Sequence, residues 1–509
     1  MSKVMYFDYK VDRNLPKLAW CAELIKGEER VRIKCGKQVE TKEDWFAEGA
    51  WNGIFSAGKF EQSTFFLGTG AKINKNEVLF ATPSHTLERL HFIRKKNKLY
   101  ISNSLSFALE TTKTNLDLNY LDYEKVFHSI LLGIDQYEKN IPLEQKNAQC
   151  FVVYYKNIII DKNLNLKYEK KKECEPFQSY LQYKESLYTS IAMIKKNIVA
   201  EERKKKYGVV TTISSGYDSA ACAAVAKSIG CDTAVTFNAP KKYAVDSGEE
   251  IAKVLGYKNI ICKNADDYKS REDFTEAEYV AGGELGTGIV FSAFDKEFED
   301  NLVFIGEGGD RLWDRNVEDV NDKIRFINEL YSGSTLIEPR LRLGYIYLPL
   351  PFYGAVCWPS LYKINHSEEM EHWAVHNSYD RPIARRIVEE SGVPRQMFGA
   401  EKVGAGFNYR FDTLKRMKGR MSEKSYTDFC EYYNLHKKIT VKRIIRIVRY
   451  FFNTTPAYIN YILRKAGIKK RIKDVNTRII KVENPLAVSY MFHWGITNTK
   501  KRYRKKSYD

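Results

Sequence analysis

The sequence predicts an α/β protein, a parallel sheet covered by helices that follows an α+β region, and three observations lead there. Between residues 175 and 410, strand-like and helix-like segments alternate, the pattern of parallel strands joined by helical crossovers. Within that stretch a β-branched run at 208–213 (GVVTTI) meets a polar turn at 214–219 (SSGYDS), then an apolar helical segment at 220–229 that stops at Gly230. Strand and helix recur at 233–237 and 247–255. Residues 1–170, by contrast, read as short strands and turns, with strand-like runs at 63–67, 77–81, 98–102 and 151–155 and one helical stretch near 119–132. A chain of 509 residues exceeds one hydrophobic core, so three units are expected: 1–170, 175–410, and a basic, mainly helical extension at 411–509.

The net charge is +18, and much of it falls at 201–206 and 500–506. Runs of this kind are read as a solvated face and a frayed tail, which leaves nucleic acid an unlikely partner. A third basic segment, 440–453, sets Ile444, Ile445, Val448, Phe451 and Phe452 on one helical face with arginines and lysines around it. Packing on the domain with the basic edge in water is the expectation, and an anionic membrane surface the second reading. The nine cysteines are scattered without a CxxC pair, as in a protein of reduced thiols. No apolar run of about 18 residues occurs and the start has no signal-peptide pattern, so a cytoplasmic protein without a transmembrane segment is expected. His372 and His376 can share a helix face but lack a third ligand for zinc. The glycine-rich 282–288 follows no strand and is expected to be a flexible loop rather than a phosphate cradle.

The turn at 214–219 carries the chemistry. A strand that ends at a helix N-terminus presents free backbone N–H groups and the positive end of the helix dipole, which together bind phosphate. Ser214, Ser215 and Gly216 are small enough for close approach, the hydroxyls of Ser214 and Ser219 add donors, and Asp218 can hold magnesium against phosphates. The bland alternative for Asp218 is a helix cap. The turn is neither a Walker loop nor a GxGxxG fingerprint.

SSGYDS resembles the SGGxDS loop of the N-type ATP pyrophosphatases, and two later segments extend the likeness to the asparagine synthetase and β-lactam synthetase family. The segment 303–313 (VFIGEGGDRLW) is similar to that family's GEGxDE stretch, and 395–407 (RQMFGAEKVGAGF), preceded by 379–386 (YDRPIARR), to its late lysine loop. The resemblance implies an adenine nucleotide alpha hydrolase-like fold, with ATP and Mg2+ as cofactors. It places the backbone at Gly306 against the adenosine, Glu307 in the site, Asp310 as second magnesium or pyrophosphate ligand beside Asp218, and Lys402 on the α-phosphate. Asp246 matches a further acidic position of the nucleotide site. Departures are Ser215 where the family has glycine and Arg311 where it has glutamate.

Residues 1–170 faintly resemble the class II glutamine amidotransferase domain of the same family, on FATPSH at 80–85, LYISNS at 99–104, and 145–156. That activity needs a cysteine at the mature N-terminus, and Ser2 stands there, so a degenerate domain without glutaminase activity is expected. The function implied is an AMP- and pyrophosphate-forming amide ligase acting on small-molecule or peptide carboxylates and amines, with ammonia supplied, where used, by a separate protein. Two alternatives stand beside it: an RNA-modifying enzyme with a related loop, and a non-catalytic nucleotide-binding scaffold. The sequence does not name the substrates, the role of the extension or the oligomeric state.

Overall fold

The computed structural model describes residues 4–238, 247–271, 276–326, 329, 332–333, 336–400, 407–410, 412–437 and 487–504. Of the sequence expectations, Asp246, Lys402 and the 440–453 segment lie outside the described residues. The strands, in chain order, are β1 (Tyr6–Val11), β2 (Trp20–Ile25), β3 (Arg30–Cys35), β4 (Glu40–Thr41), β5 (Trp45–Trp51), β6 (Phe66–Asn74), β7 (Glu77–Ala81), β8 (Leu90–Lys95) and β9 (Lys98–Ser102). They continue with β10 (Asn140–Ile141), β11 (Ala148–Val153), β12 (Asn157–Asp161), β13 (Leu166–Glu169), β14 (Gly208–Thr212), β15 (Thr233–Asn238), β16 (Asn259–Asn264), β17 (Asn301–Ile305) and β18 (Ile346–Pro349).

The first thirteen strands form two sheets, ordered β1-β3-β2-β9-β8-β11-β10 and β13-β12-β7-β6-β5-β4. Period-2 alternation gives each a buried face, as in β3, where Val31, Ile33 and Cys35 point inward between half-buried Arg30, Arg32 and Lys34. One core holds inward residues of both sheets, among them Trp20, Phe46, Phe80 and Phe92. Trp20 meets Phe46 edge-on at 4.9 Å and donates its indole N–H to Thr69 Oγ1 at 2.9 Å, so its polar edge is satisfied inside the core. The run read at 63–67 becomes a strand only from Phe66 and continues to Asn74, with Gly68 pairing opposite Gly49 in the ladder.

The remaining five strands are all parallel, in the order β16-β15-β14-β17-β18. This is the mixed α/β arrangement expected from the alternation after residue 175. Chain order runs outward from β14 to β16 on one side and from β17 to β18 on the other. The direction of winding therefore reverses between β14 and β17, whose C-terminal ends flank the crevice where open parallel sheets bind ligands. Helix Tyr217–Ser228 covers β14 and β17, and its run of buried alanines lets it lie close to the strands and to helix Pro382–Glu390.

Three local expectations change in the fold. The 201–206 run is not wholly solvated: Arg203 is buried, with Nη2 donating to Gly49 O at 2.8 Å and Nη1 3.7 Å from Glu40. The described part of the C-terminal run is not frayed, because helix Met491–Lys500 packs on Ala277–Ala281 and Leu105–Thr112. Beyond it, Tyr503 stacks on Phe107 at 4.7 Å and donates to Glu338 Oε2 at 2.6 Å. The 282–288 segment is a buried turn rather than a flexible loop: a Cβ on Gly283 would stand 2.4 Å from the Phe127 ring, and one on Gly286 2.8 Å from Tyr409.

A buried ion cluster joins the sandwich to the parallel sheet. Arg340, on the helix Ile337–Leu343 ahead of β18, binds Glu48 of β5 through two nitrogens at 2.6 and 2.9 Å and lies 2.6 Å from Glu88. Burial, with Glu48 close by, pushes the Glu88 carboxyl up to about 7 against the pull of Arg340, because one guanidinium neutralises only one of two carboxylates. Arg340→Met strands both carboxylates and should cost about 3–5 kcal/mol in urea unfolding; a midpoint equal to the wild type would show the cluster to be energetically idle. Folded Glu88 keeps its proton to about pH 7, whereas an unfolded carboxyl loses it near 4.5, so this residue's stabilisation fades as pH rises through that window. The wild-type melting temperature should therefore fall relative to Glu88→Gln between pH 5 and 8.

Candidate active site

The turn at 214–219 closes on itself. Ser214 N–H donates to Ser219 Oγ at 3.0 Å, the two serine hydroxyls are 2.7 Å apart, and Gly216 N–H donates to Ser214 Oγ at 3.2 Å. Gly216 is the N-cap of helix Tyr217–Ser228 and brings no side chain to its first N–H groups. The helix therefore starts with amides and a positive dipole end facing the crevice between β14 and β17. On the other flank, Ser214 forms an antiparallel β-bridge with Ser247, so the chain returns beside the turn at Ser247.

The segment after β17 packs straight onto this turn. A Cβ on Gly306 would stand 2.8 Å from the carbonyl carbon of Asp218 and the N of Ser219, and one on Gly309 would stand 2.3 Å from Asp218 Cγ and Oδ1. Only glycine permits that approach. Asp218 and the 306–310 turn, two segments that the sequence places ninety residues apart, thus share one spot at the switch point. Glu307 points elsewhere, with Oε1 3.1 Å from where a Gly333 Cβ would stand, beside Leu87 of the sandwich and at the junction of the two regions. Asp310 is half-buried next to Arg311, whose Nε is 3.9 Å from its Oδ1. Arg311 itself turns inward, stacking on Phe326 at 4.8 Å, so it serves packing.

The segment at 379–386 supplies the partners that sequence reasoning missed. Arg381 Nη1 is ion-paired with Asp218 Oδ2, its Nε is 3.7 Å from Asp314 Oδ2, and its guanidinium lies 4.7 Å from the Tyr379 ring centre. Burial disfavours the Arg381 charge, but Asp218, Tyr379, Asp310 and Asp314 outweigh it and hold the guanidinium above its usual range. Tyr379 OH lies 3.4 Å from where a Cβ on Gly216 would stand, over the start of the helix. Tyr217, the variable position of the motif, is fully buried, hydrogen-bonded to Arg385, and 4.8 Å from the Tyr379 ring. The late loop begins at this place too: Gly399 N–H donates to Ser215 O at 2.8 Å, three residues before Lys402. The signal for Arg381 was present as an arginine-rich stretch before the late loop, but nothing local marks which of its three arginines meets Asp218.

Asp218 and Asp310 offer the hard carboxylate oxygens that suit magnesium, and among the described residues no group of three or more His, Cys, Asp or Glu forms a cage for a metal. That donor set fits an ion carried by substrate phosphates and one or two carboxylates. His376 instead pairs with Glu371 at 2.6 Å on the surface. Among the described residues no helix is long and apolar enough to cross a membrane.

No protein-family model matches the chain, and no curated protein matches it. Among solved structures the chain is similar to a glutamine-dependent NAD+ synthetase from Acinetobacter baumannii in complex with adenosine diphosphate, at 11% identity and a TM-score of 0.22. The match covers 72% of this chain and 65% of that chain, just under two thirds of the relative's length. A TM-score of 0.22 is too low to place a residue or an activity, so the site rests on its own geometry.

Gly309→Ala, which sets a methyl group 2.3 Å from the Asp218 carboxylate, and Gly306→Ala, 2.8 Å from backbone, should each destabilise the protein by about 1–3 kcal/mol in thermal or urea unfolding. Wild-type stability in both variants would mean that the two turns do not touch.

Proposed function

We propose that this chain is an ATP-dependent, AMP- and pyrophosphate-forming carbon–nitrogen ligase that adenylates a substrate carboxylate and passes the acyl group to an amine or ammonia. The observation that carries this reading is the apposition of the 306–310 turn and Asp218 at a helix N-terminus whose N-cap is Gly216, on the switch point of a parallel sheet. In the first step a carboxylate oxygen attacks the α-phosphorus and the bond to the bridging oxygen breaks, releasing pyrophosphate. In the second the amine attacks the acyl carbon and the bond to the AMP oxygen breaks. Magnesium, when bound by Asp218 and Asp310, supplies positive charge to the phosphates.

The residues divide the work. Backbone N–H groups at 216–219 with the Ser214, Ser215 and Ser219 hydroxyls bind the β- and γ-phosphates, and the backbone at Gly306 lines the adenosine. Asp246 contributes a further acidic group to the nucleotide site. Arg381, a buried and always-charged guanidinium held by Asp218 and Asp314, gives fixed positive charge where pyrophosphate departs. Lys402 acts on the α-phosphate. Glu307, at the junction with the sandwich, faces the acceptor side, and a site closed by that junction keeps water from the acyl-adenylate. The nitrogen comes from a free amine, ammonia or a separate ammonia-supplying protein.

A second reading, a nucleotide-binding fold without turnover, is favoured by one observation: the cation on Asp218 is already an arginine, and Tyr379 covers the helix start. Pyrophosphate release from ATP and magnesium, measured against pooled carboxylates and amines and against transfer RNA, separates the readings. The ligase releases pyrophosphate with a carboxylate pool, and Asp218→Ala and Arg381→Ala lower the rate by about 10²–10³-fold. ATP binding with no release in any pool overturns the ligase in favour of the second reading.

A further inference from the structure

Cys174 and Cys357 stand 183 positions apart in the chain, yet their Sγ atoms lie 3.3 Å apart. Cys174 sits in the segment between β13 and helix Tyr180–Ile198, where residues 172, 173, 175 and 176 are exposed and Cys174 itself is half-buried. Cys357 is buried at the end of the short turn Ala355–Cys357 that follows β18, and its thiol donates to Cys174 O at 2.8 Å. The backbone on both sides is fixed. Phe177 N–H donates to Ser360 Oγ at 3.1 Å, Ser360 Oγ donates to Cys357 O at 2.7 Å, and the Phe177 ring fills the space a Cβ on Gly354 would need. Among the described residues no other two thiols are in contact, and the remaining cysteines lie singly in their elements. Two sulfurs at this distance on anchored backbones, one reachable from solvent and one beneath it, form an attacking and a resolving thiol.

We propose that Cys174 and Cys357 are a reversible dithiol–disulfide pair, oxidised by exchange with a small-molecule disulfide of the glutathione type, and that the bond staples the segment between the two folded regions to the turn after β18. The half-buried Cys174, the thiol of the pair nearer to solvent, gives up its proton and attacks one sulfur of the small disulfide, so a mixed disulfide forms and one small thiolate leaves. Cys357 gives up its proton and attacks the Cys174 sulfur, forming the internal disulfide and releasing the second small thiolate. The two protein thiols lose two electrons and two protons; the small disulfide takes both and becomes two thiols. The preceding turn, Leu350–Phe352, ends five residues before Cys357 and carries Phe352, whose ring packs on Gly308 of the candidate site, so the bond is anchored close in sequence to one wall of that site.

The test uses the full chain incubated with oxidised glutathione, alkylated, digested and mapped by mass spectrometry. The expected product is a peptide pair joined through Cys174 and Cys357, two hydrogens lighter than its parts and separated by dithiothreitol. In Cys357→Ser the first step has no resolving partner, and glutathione should persist on Cys174. The oxidised wild type should also melt several degrees higher than the reduced form, while Cys174→Ser melts as the reduced form does with or without glutathione. A lasting glutathione adduct on Cys174 in the wild type, or both thiols alkylated after oxidation, overturns the proposal.

Discussion

Two glycines facing one aspartate decide how the crevice of this protein is built. Because Gly306 and Gly309 have no Cβ, the turn after β17 settles against Asp218 and Ser219 at the start of the helix that follows β14. Parallel pairing of β14 with β17, Val210 opposite Val303, brings both turns to the same edge of the sheet. The helix dipole, the serine hydroxyls and the carboxylates then converge by topology alone. A larger residue at 306 would press on the backbone of Asp218 and Ser219, and one at 309 on the Asp218 side chain, which its ion pair with Arg381 holds in place.

Around that contact the charges are arranged unevenly. Asp218, Asp310 and Asp314 surround one buried arginine, which balances part of their charge and is held in place by the Tyr379 ring. A guanidinium in this position attracts phosphate oxygens while competing with a metal ion for the same carboxylate. The balance between those two effects distinguishes the ligase reading from a fold that only holds a nucleotide.

The crevice is also not independent of the sandwich. Arg340 reaches from the helix before β18 to Glu48 on β5, and Tyr503 at the far end of the chain reaches Glu338 on the same helix. Glu307 lies beside Leu87 of the sandwich. The edge of the parallel sheet is thus clamped by buried charge and by the C-terminal segment, so β18 is positioned by residues from distant parts of the sequence.

The sequence by itself determined the alternation of strand and helix after residue 175 and placed 77–81, 98–102 and 233–237 within strands, because hydrophobic period and β-branching are local properties. It also marked the 214–219 turn, since small and hydroxyl residues between a strand and a helix have few other uses. What only the tertiary structure decided was which residues meet. That Arg381 rather than Arg385 or Arg386 lies on Asp218, that Arg203 and Lys500 are buried although they sit in charge runs, and that the glycines of 282–288 serve packing all follow from contacts across tens to hundreds of residues. No local pattern encodes such pairings, because desolvation makes a buried charge acceptable only where the fold delivers its partner.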